Sequence, residues 1–313
     1  MPLPASFEGR LALPAVAAPM FLVSGPDLVV ETCRSGVLGT FPALNQRTSE
    51  GYGDWLTQIE ERLASADCGN RPGPAPYGVN LIVHHTNKRL EADLKITVDR
   101  KVPLVITSLG AVRDVVDAVH SYGGLVFHDV INLRHAEKAA QAGVDGIIAV
   151  CAGAGGHAGT LSPFALVPEI KRMFDGTVLL SGALSTGAHV AAARMLGADL
   201  GYIGTRFIAT AESQAPDSYK QMVLDATATD VVYTPSVSGV HGSFLRQSIE
   251  AAGLDPDNMP PPGKLEMNDG EMKAWKTVWS AGQGVGSVSD TPPAAALCSR
   301  LADEYRTAMA QTA

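Results

Sequence analysis

The chain has 313 residues, 46% of them hydrophobic, and a formal net charge of -8 from 24 basic and 32 acidic residues. That length supplies one large domain or two ordinary ones, with enough apolar material for a core that needs no staples. The basic residues are spread along the chain without a Lys/Arg cluster, which excludes the electrostatic footprint of a nucleic-acid or anionic-membrane partner. Cys33, Cys68, Cys151 and Cys298 lie far apart and form no CxxC pair, so neither a zinc site nor a disulfide framework is signalled. No basic region followed by a long apolar run opens the chain, and no stretch reaches membrane-spanning length, so a soluble cytoplasmic protein is expected.

In chain order, eight short apolar runs read as strands: 15–20, 36–41, 77–83, 103–108, 124–130, 146–151, 177–182 and 200–205. Most are apolar throughout, not alternating, as strands buried on both faces of a parallel sheet should be. Helical patterns fit between them, including YGDWLTQIEERLA, AVRDVVDAVHSY, LRHAEKAAQAG and GAHVAAARMLG, several closed by glycine. Count and spacing predict an α/β fold, a closed (β/α)8 TIM barrel over residues 1–212. After Thr205 the rhythm breaks. Residues 213–278 read as a smaller, mainly helical lid domain over the barrel mouth, and 279–313 as a C-terminal return to the barrel.

In such barrels the loops at the C-terminal strand ends build the site. The candidates are Pro19 and Met20, Asn80, Ser108, His128 and Asp129, the loop CAGAGGHAG at 151–159, Ser181-Gly182-Ala183, and Gly204-Thr205. The last two groups follow the seventh and eighth strands, where loop amides and a helix N-terminus commonly bind phosphate. SGALSTGAHVAAA has that form, and Arg206 could add charge; tight turns alone are the plainer account of these glycines. His157 sits among Gly153, Gly155, Gly156 and Gly159, in backbone that a ligand can approach closely. An imidazole there can take or hold a proton; the plainer account is a surface loop histidine. No metal-ligand spacing, Walker GxxxxGK[ST] or GxSxG elbow occurs, so no metal is expected.

Together, AAPM near the N-terminus, GVN, GGHAG, LLSGALSTGAHVAAARMLGADLGYIGTRFIATAES and WSAGQGVGSV resemble the FMN-dependent nitronate monooxygenases, over nearly the whole chain. The resemblance implies an FMN-binding TIM barrel with a small lid. It places Pro19, Met20, Asn80 and Gln283 near the flavin, with Ser181, Gly182, Gly204 and Thr205 as the phosphate cradle and His157 as the active-site histidine. Ala183 extends the cradle, and Gly155, Gly156, Ser108 and Asp129 complete the cofactor set. Two positions depart from the family pattern. The cradle commonly reads Ser-Gly-Gly, and Ala183 is tolerable there if its φ need not be positive. After the fifth strand stands Asp129, where a carboxylate near the flavin disfavours an anionic substrate or an anionic reduced flavin.

The activity implied is oxidation of alkyl nitronates, or nitroalkanes, by O2 to a carbonyl compound and nitrite, with His157 positioning the substrate or acting as base. The partners are then a small-molecule nitronate and O2; a homodimer is left open. An NAD(P)H-dependent FMN reductase of quinones or enoyl thioesters shares the fold, with Arg246 and His241 as its obvious phosphate partners. A flavin-free barrel acting on a phosphorylated metabolite is the third reading, though no candidate strand end carries the lysine it would usually need.

Overall fold

The computed structural model describes residues 3–110, 112–263 and 277–311; part of the predicted lid, 264–276, lies outside them. Eight parallel strands close a barrel in the order β1 (Ala15–Ala17), β2 (Leu38–Pro42), β3 (Gly78–Ile82), β4 (Leu104–Ser108), β5 (Leu125–Val130), β6 (Gly146–Val150), β8 (Thr177–Ser181) and β9 (Leu200–Ile203). β7 (Gly156–His157) stands outside the barrel. The barrel strands fall on the eight apolar runs, so the fold is the predicted TIM barrel.

Alternation along each strand sorts side chains into two cores. Val79, Leu81, Val105, Val126, Val130, Val178 and Leu180 point out, under the helices. Leu104, Ile106, Phe127, Ile148, Leu179 and Leu200 fill the barrel interior. The same period carries Asn80, Ser108, Asp129, Ser181 and Tyr202 onto the inner face at the strand ends, so a polar layer caps the apolar fill. His128 is on the outer face of β5, with its Nδ1 2.8 Å from Thr107 Oγ1.

Local chemistry sets the helix ends. Asn132 and Thr186 accept from the backbone N–H three residues on, at His135 and His189, and Gly143 closes Leu133–Ala142 in the left-handed conformation. The C-terminal helix Ala294–Ala310 packs on Gly187–Met195 so closely that a methyl on Gly187 would collide with the Leu301 carbonyl.

Beyond the barrel, helices Asp217–Asp225 and Arg246–Ala251 are joined by a feature that the patterning does not announce. β10 (Val231–Thr234) and β11 (Gly242–Leu245) pair antiparallel, and β11 pairs in turn with β7, matching Gly242 with His157 and Ser243 with Gly156. These strands are four, four and two residues long, too short for a periodic signal in sequence. No helix among the described residues is long and apolar enough to cross a membrane.

Gly187→Ala should lower stability by about 1–3 kcal/mol in urea denaturation, because rigid backbone leaves the methyl no room. An unchanged midpoint would mean that the C-terminal helix does not pack here as described.

Candidate active site

A cavity of about 1720 Å³ opens at the C-terminal strand ends. Of the predicted site residues, Pro19, Met20, Asn80, Ser108, Asp129, Gly155, Gly156, His157, Ser181, Gly182, Ala183, Gly204 and Thr205 all line it. Gln283 is not in its wall; its N–H donates to the Gly153 carbonyl at 2.9 Å, behind the loop.

The loop after β1 is fixed by Asn45, whose amide donates to the carbonyls of Met20 (3.1 Å) and Ser24 (2.7 Å) and accepts from Leu22 N–H. Leu22, Leu109 and Ala183 hold φ of 57°, 61° and 54°, all in loops at the barrel mouth. Non-glycine residues in this region store strain of order 1 kcal/mol each, and such strain concentrates at functional sites. Ala183 therefore occupies a positive φ that a glycine would take freely.

The glycines divide into two groups. A methyl on Gly155 would lie 2.8 Å from Gly282 N, one on Gly282 2.5 Å from Gly153 O, and one on Gly284 would strike Ser185 Oγ. Gly155 and Gly282 let the 153–155 loop press backbone-to-backbone on the 282–284 loop, and Gly284 lets the latter meet the Ala183–Ser185 turn, while all three still border the cavity. Gly156, at φ 69°, would place a methyl within 4 Å of nothing, and Gly204 one no nearer than 3.7 Å to Ala18. Those two face the open cavity.

Fewer groups are available to an anion than expected. At the helix after β8, Gly187 N–H donates to Glu304 Oε2 at 2.7 Å and His189 N–H to Thr186, so the chain's own groups cap that terminus. Arg206 is buried and turned to Asp290 and the Ala209 carbonyl, away from the cavity. What remains at the cradle is the Gly182 and Gly204 backbone, the Ser181 hydroxyl and Thr205. The Thr205 oxygen accepts from Gly282 N–H at 2.8 Å and keeps its own proton to donate.

His157 is held by the small sheet. Gly156 N–H donates to Ser280 Oγ (2.6 Å), Tyr233 O–H to the Ala158 carbonyl (2.9 Å), and the His157 Nε2 lies 3.3 Å from Ser238 Oγ. Ser238 donates its proton to the Val240 carbonyl, which favours the tautomer with the proton on Nε2. Burial pushes the His157 pKa down to about 4, which keeps the ring neutral at neutral pH. Ser238, Ser280, Tyr233 and His241, whose ring stacks on Tyr233 at 5.2 Å, are wall or support residues that sequence reasoning did not pair with His157. Short serine-rich segments such as TPSVSGVHGS were their only signal.

On the floor, Asn80 Nδ2 donates to Ser108 Oγ (2.8 Å), and Ser108 donates to Asp129 Oδ2 (2.6 Å). Asp129 Oδ1 is shut off from solvent and has no partner. Burial raises the Asp129 pKa from the usual 3.8 to about 6, against the lowering effect of Ser108. No group of three or more His, Cys, Asp or Glu suited to a metal ion occurs among the described residues.

Because the folded-state pKa of Asp129 is raised, the native chain holds more protons than the unfolded one between the two values. Stability is therefore lost as pH rises from about 4 through about 6. Asp129→Asn should remove that slope and stabilise the ligand-free protein at neutral pH by on the order of 1–3 kcal/mol, read from thermal melts across pH. A variant that melts lower than the parent at every pH would contradict this account.

Comparison with known proteins agrees with this geometry. The nitronate monooxygenase family model matches residues 9–304. A nitronate monooxygenase of Paraburkholderia phytofirmans is 27% identical over 283 residues, covering 79% of this chain and 77% of that protein. A carboxyl-CoA dehydrogenase of Rhodococcus jostii, acting on a hydroxy-methyl-oxo-octahydroindene substrate, is 26% identical and covers 88% and 76%. A relative from Mycobacterium tuberculosis, 32% identical over 183 residues, matches 58% of this chain and about half, 49%, of its own length. In fold, the nitroalkane oxidase of Streptomyces ansochromogenes superposes with a TM-score of 0.81 at 22% identity over 99% of this chain and 100% of that one. The chain belongs to the nitronate monooxygenase family of flavin-dependent oxidoreductases.

Proposed function

We propose that the protein binds FMN at the barrel mouth and oxidises alkyl nitronates with O2 to a carbonyl compound and nitrite. The observation that carries this reading is a neutral, half-buried His157 beside a cavity whose open glycines, free loop amides and hydroxyls suit a phosphorylated planar cofactor. Gly182, Gly204, Ser181 and Thr205 would hold the phosphate. Pro19, Met20 and the Asn80–Ser108–Asp129 row would meet the ring. When bound, the flavin supplies a two-electron acceptor and the route to O2.

The chain's own groups favour the nitronate over its neutral parent. An imidazole with a pKa near 4 is a poor base for a carbon acid, and a nitronate has already lost that proton. What His157 offers is the Nε2–H, held loosely at 3.3 Å by Ser238, which a nitronate oxygen can take over. The lid strand β11 fixes the backbone of that histidine, so the donor is positioned before substrate arrives. Five basic residues line the cavity, Arg47, Lys88, Arg89, Arg113 and Lys138, and they favour entry of an anion into a chain of net negative charge.

The reductase alternative loses one of its two expected anchors. Arg246 forks onto Asp257 at 3.1 and 3.0 Å and is exposed, not turned to the cavity.

His157→Asn should retain FMN and release nitrite about 100-fold more slowly, the scale for one oriented donor to a developing charge. Unchanged turnover would remove His157 from the chemistry. In the parent protein, the visible flavin spectrum recorded anaerobically should bleach with a nitronate and persist with NADH or NADPH. Rapid bleaching by either nicotinamide cofactor would favour the reductase.

A further inference from the structure

Asp129 is the only carboxylate among the described residues that line the cavity. Its two oxygens are served unequally. Oδ2 ends a chain of donors from Asn80 through Ser108, while Oδ1 is buried with nothing to accept from. The neighbours cannot turn to supply it. Ser108 has a single proton, already given to Oδ2, and the Asn80 amide is committed to Ser108 and to the Ile106 carbonyl. No ion pair reaches Asp129 among the described residues. A buried acceptor without a donor is costly, and such an orphan calls for a ligand to complete it. Tyr202, on the same polar layer, is the titratable group that faces Asp129 across the barrel, and His128 points to the opposite side of β5.

We propose that Asp129 Oδ1 accepts an N–H of the flavin ring seated on this floor, and that its carboxylate holds the reduced ring in the neutral state. Reduction delivers two electrons. With one proton the ring becomes an anion, and with two it is neutral; the second proton is drawn from solvent and stays on a ring nitrogen. A fixed carboxylate that accepts from the ring would oppose the anion by like-charge repulsion and strengthen the N–H donor of the neutral form. The proposal rests on the flavin part of the function proposed above and not on the nitronate.

The experiment uses the FMN-loaded protein, reduced with dithionite in the absence of oxygen, and follows the absorbance of the reduced form and the midpoint potential through a neutral-to-alkaline pH series. In Asp129→Asn the reduced ring should ionise at about tenfold higher proton concentration than in the parent, with a more positive potential where the ring is anionic. Ser108→Ala frees Oδ2 and favours the uncharged acid, so it should move both readings the same way by less. Identical titrations and potentials in the parent and Asp129→Asn overturn the proposal. If Asp129→Asn does not retain FMN, an unshifted Ser108→Ala overturns it instead. A parent chain that binds no FMN sinks both readings, whereas a shift seen in a protein inert to nitronates leaves this one standing.

Discussion

The site depends on one backbone contact, the packing of the loop at 153–155 against the loop at 282–284. A side chain at Gly155 or Gly282 would drive these loops apart, and one at Gly284 would strike the Ala183–Ser185 turn. Their approach lets Gln283 N–H reach the Gly153 carbonyl, brings Gly282 N–H to Thr205, and leaves Ala183 N–H on the same Gly153 carbonyl at 3.2 Å. Three strand ends are thereby tied together at one point. The turn after β8, the loop that carries His157 and the segment at 282–284 share a single hub of carbonyl and amide groups, made possible by the missing side chains.

A second constraint fixes His157. A two-residue strand has almost no stability alone, and β7 exists because β11 completes its pairing and Ser280 takes its N–H. The β10–β11 hairpin thus forms part of the wall that orients the imidazole. The strained backbones of Leu22, Leu109 and Ala183 fit the same picture, since each sits where a loop must turn sharply into the cavity.

Much of the fold was legible because parallel barrel strands are buried on both faces and show as uninterrupted apolar runs. The strand-end rule then located Asn80, Ser108, Asp129 and Ser181, and alternation explains why Asp129 faces inward while His128 does not. The small sheet was not legible: its strands are short and partly polar, and β7 pairs with β11 across more than 70 residues of sequence. Nor could the sequence separate glycines that face the cavity from those that face other glycines, because Gly155 and Gly156 are neighbours with opposite surroundings. Arg206 and the helix after β8 looked available to an anion, yet Asp290 and Glu304, distant in sequence, already occupy them.

Glu304 belongs to the C-terminal helix, and its carboxylate closes the N-terminus of the helix that follows the seventh barrel strand. Residues 279–284, which complete the glycine hub, also come late in the chain. The same C-terminal helix packs Leu297 and Leu301 against Ala15, Ala17 and Ile203 of the first and last barrel strands, so one late segment both covers the barrel's seam and supplies the groups that finish its mouth.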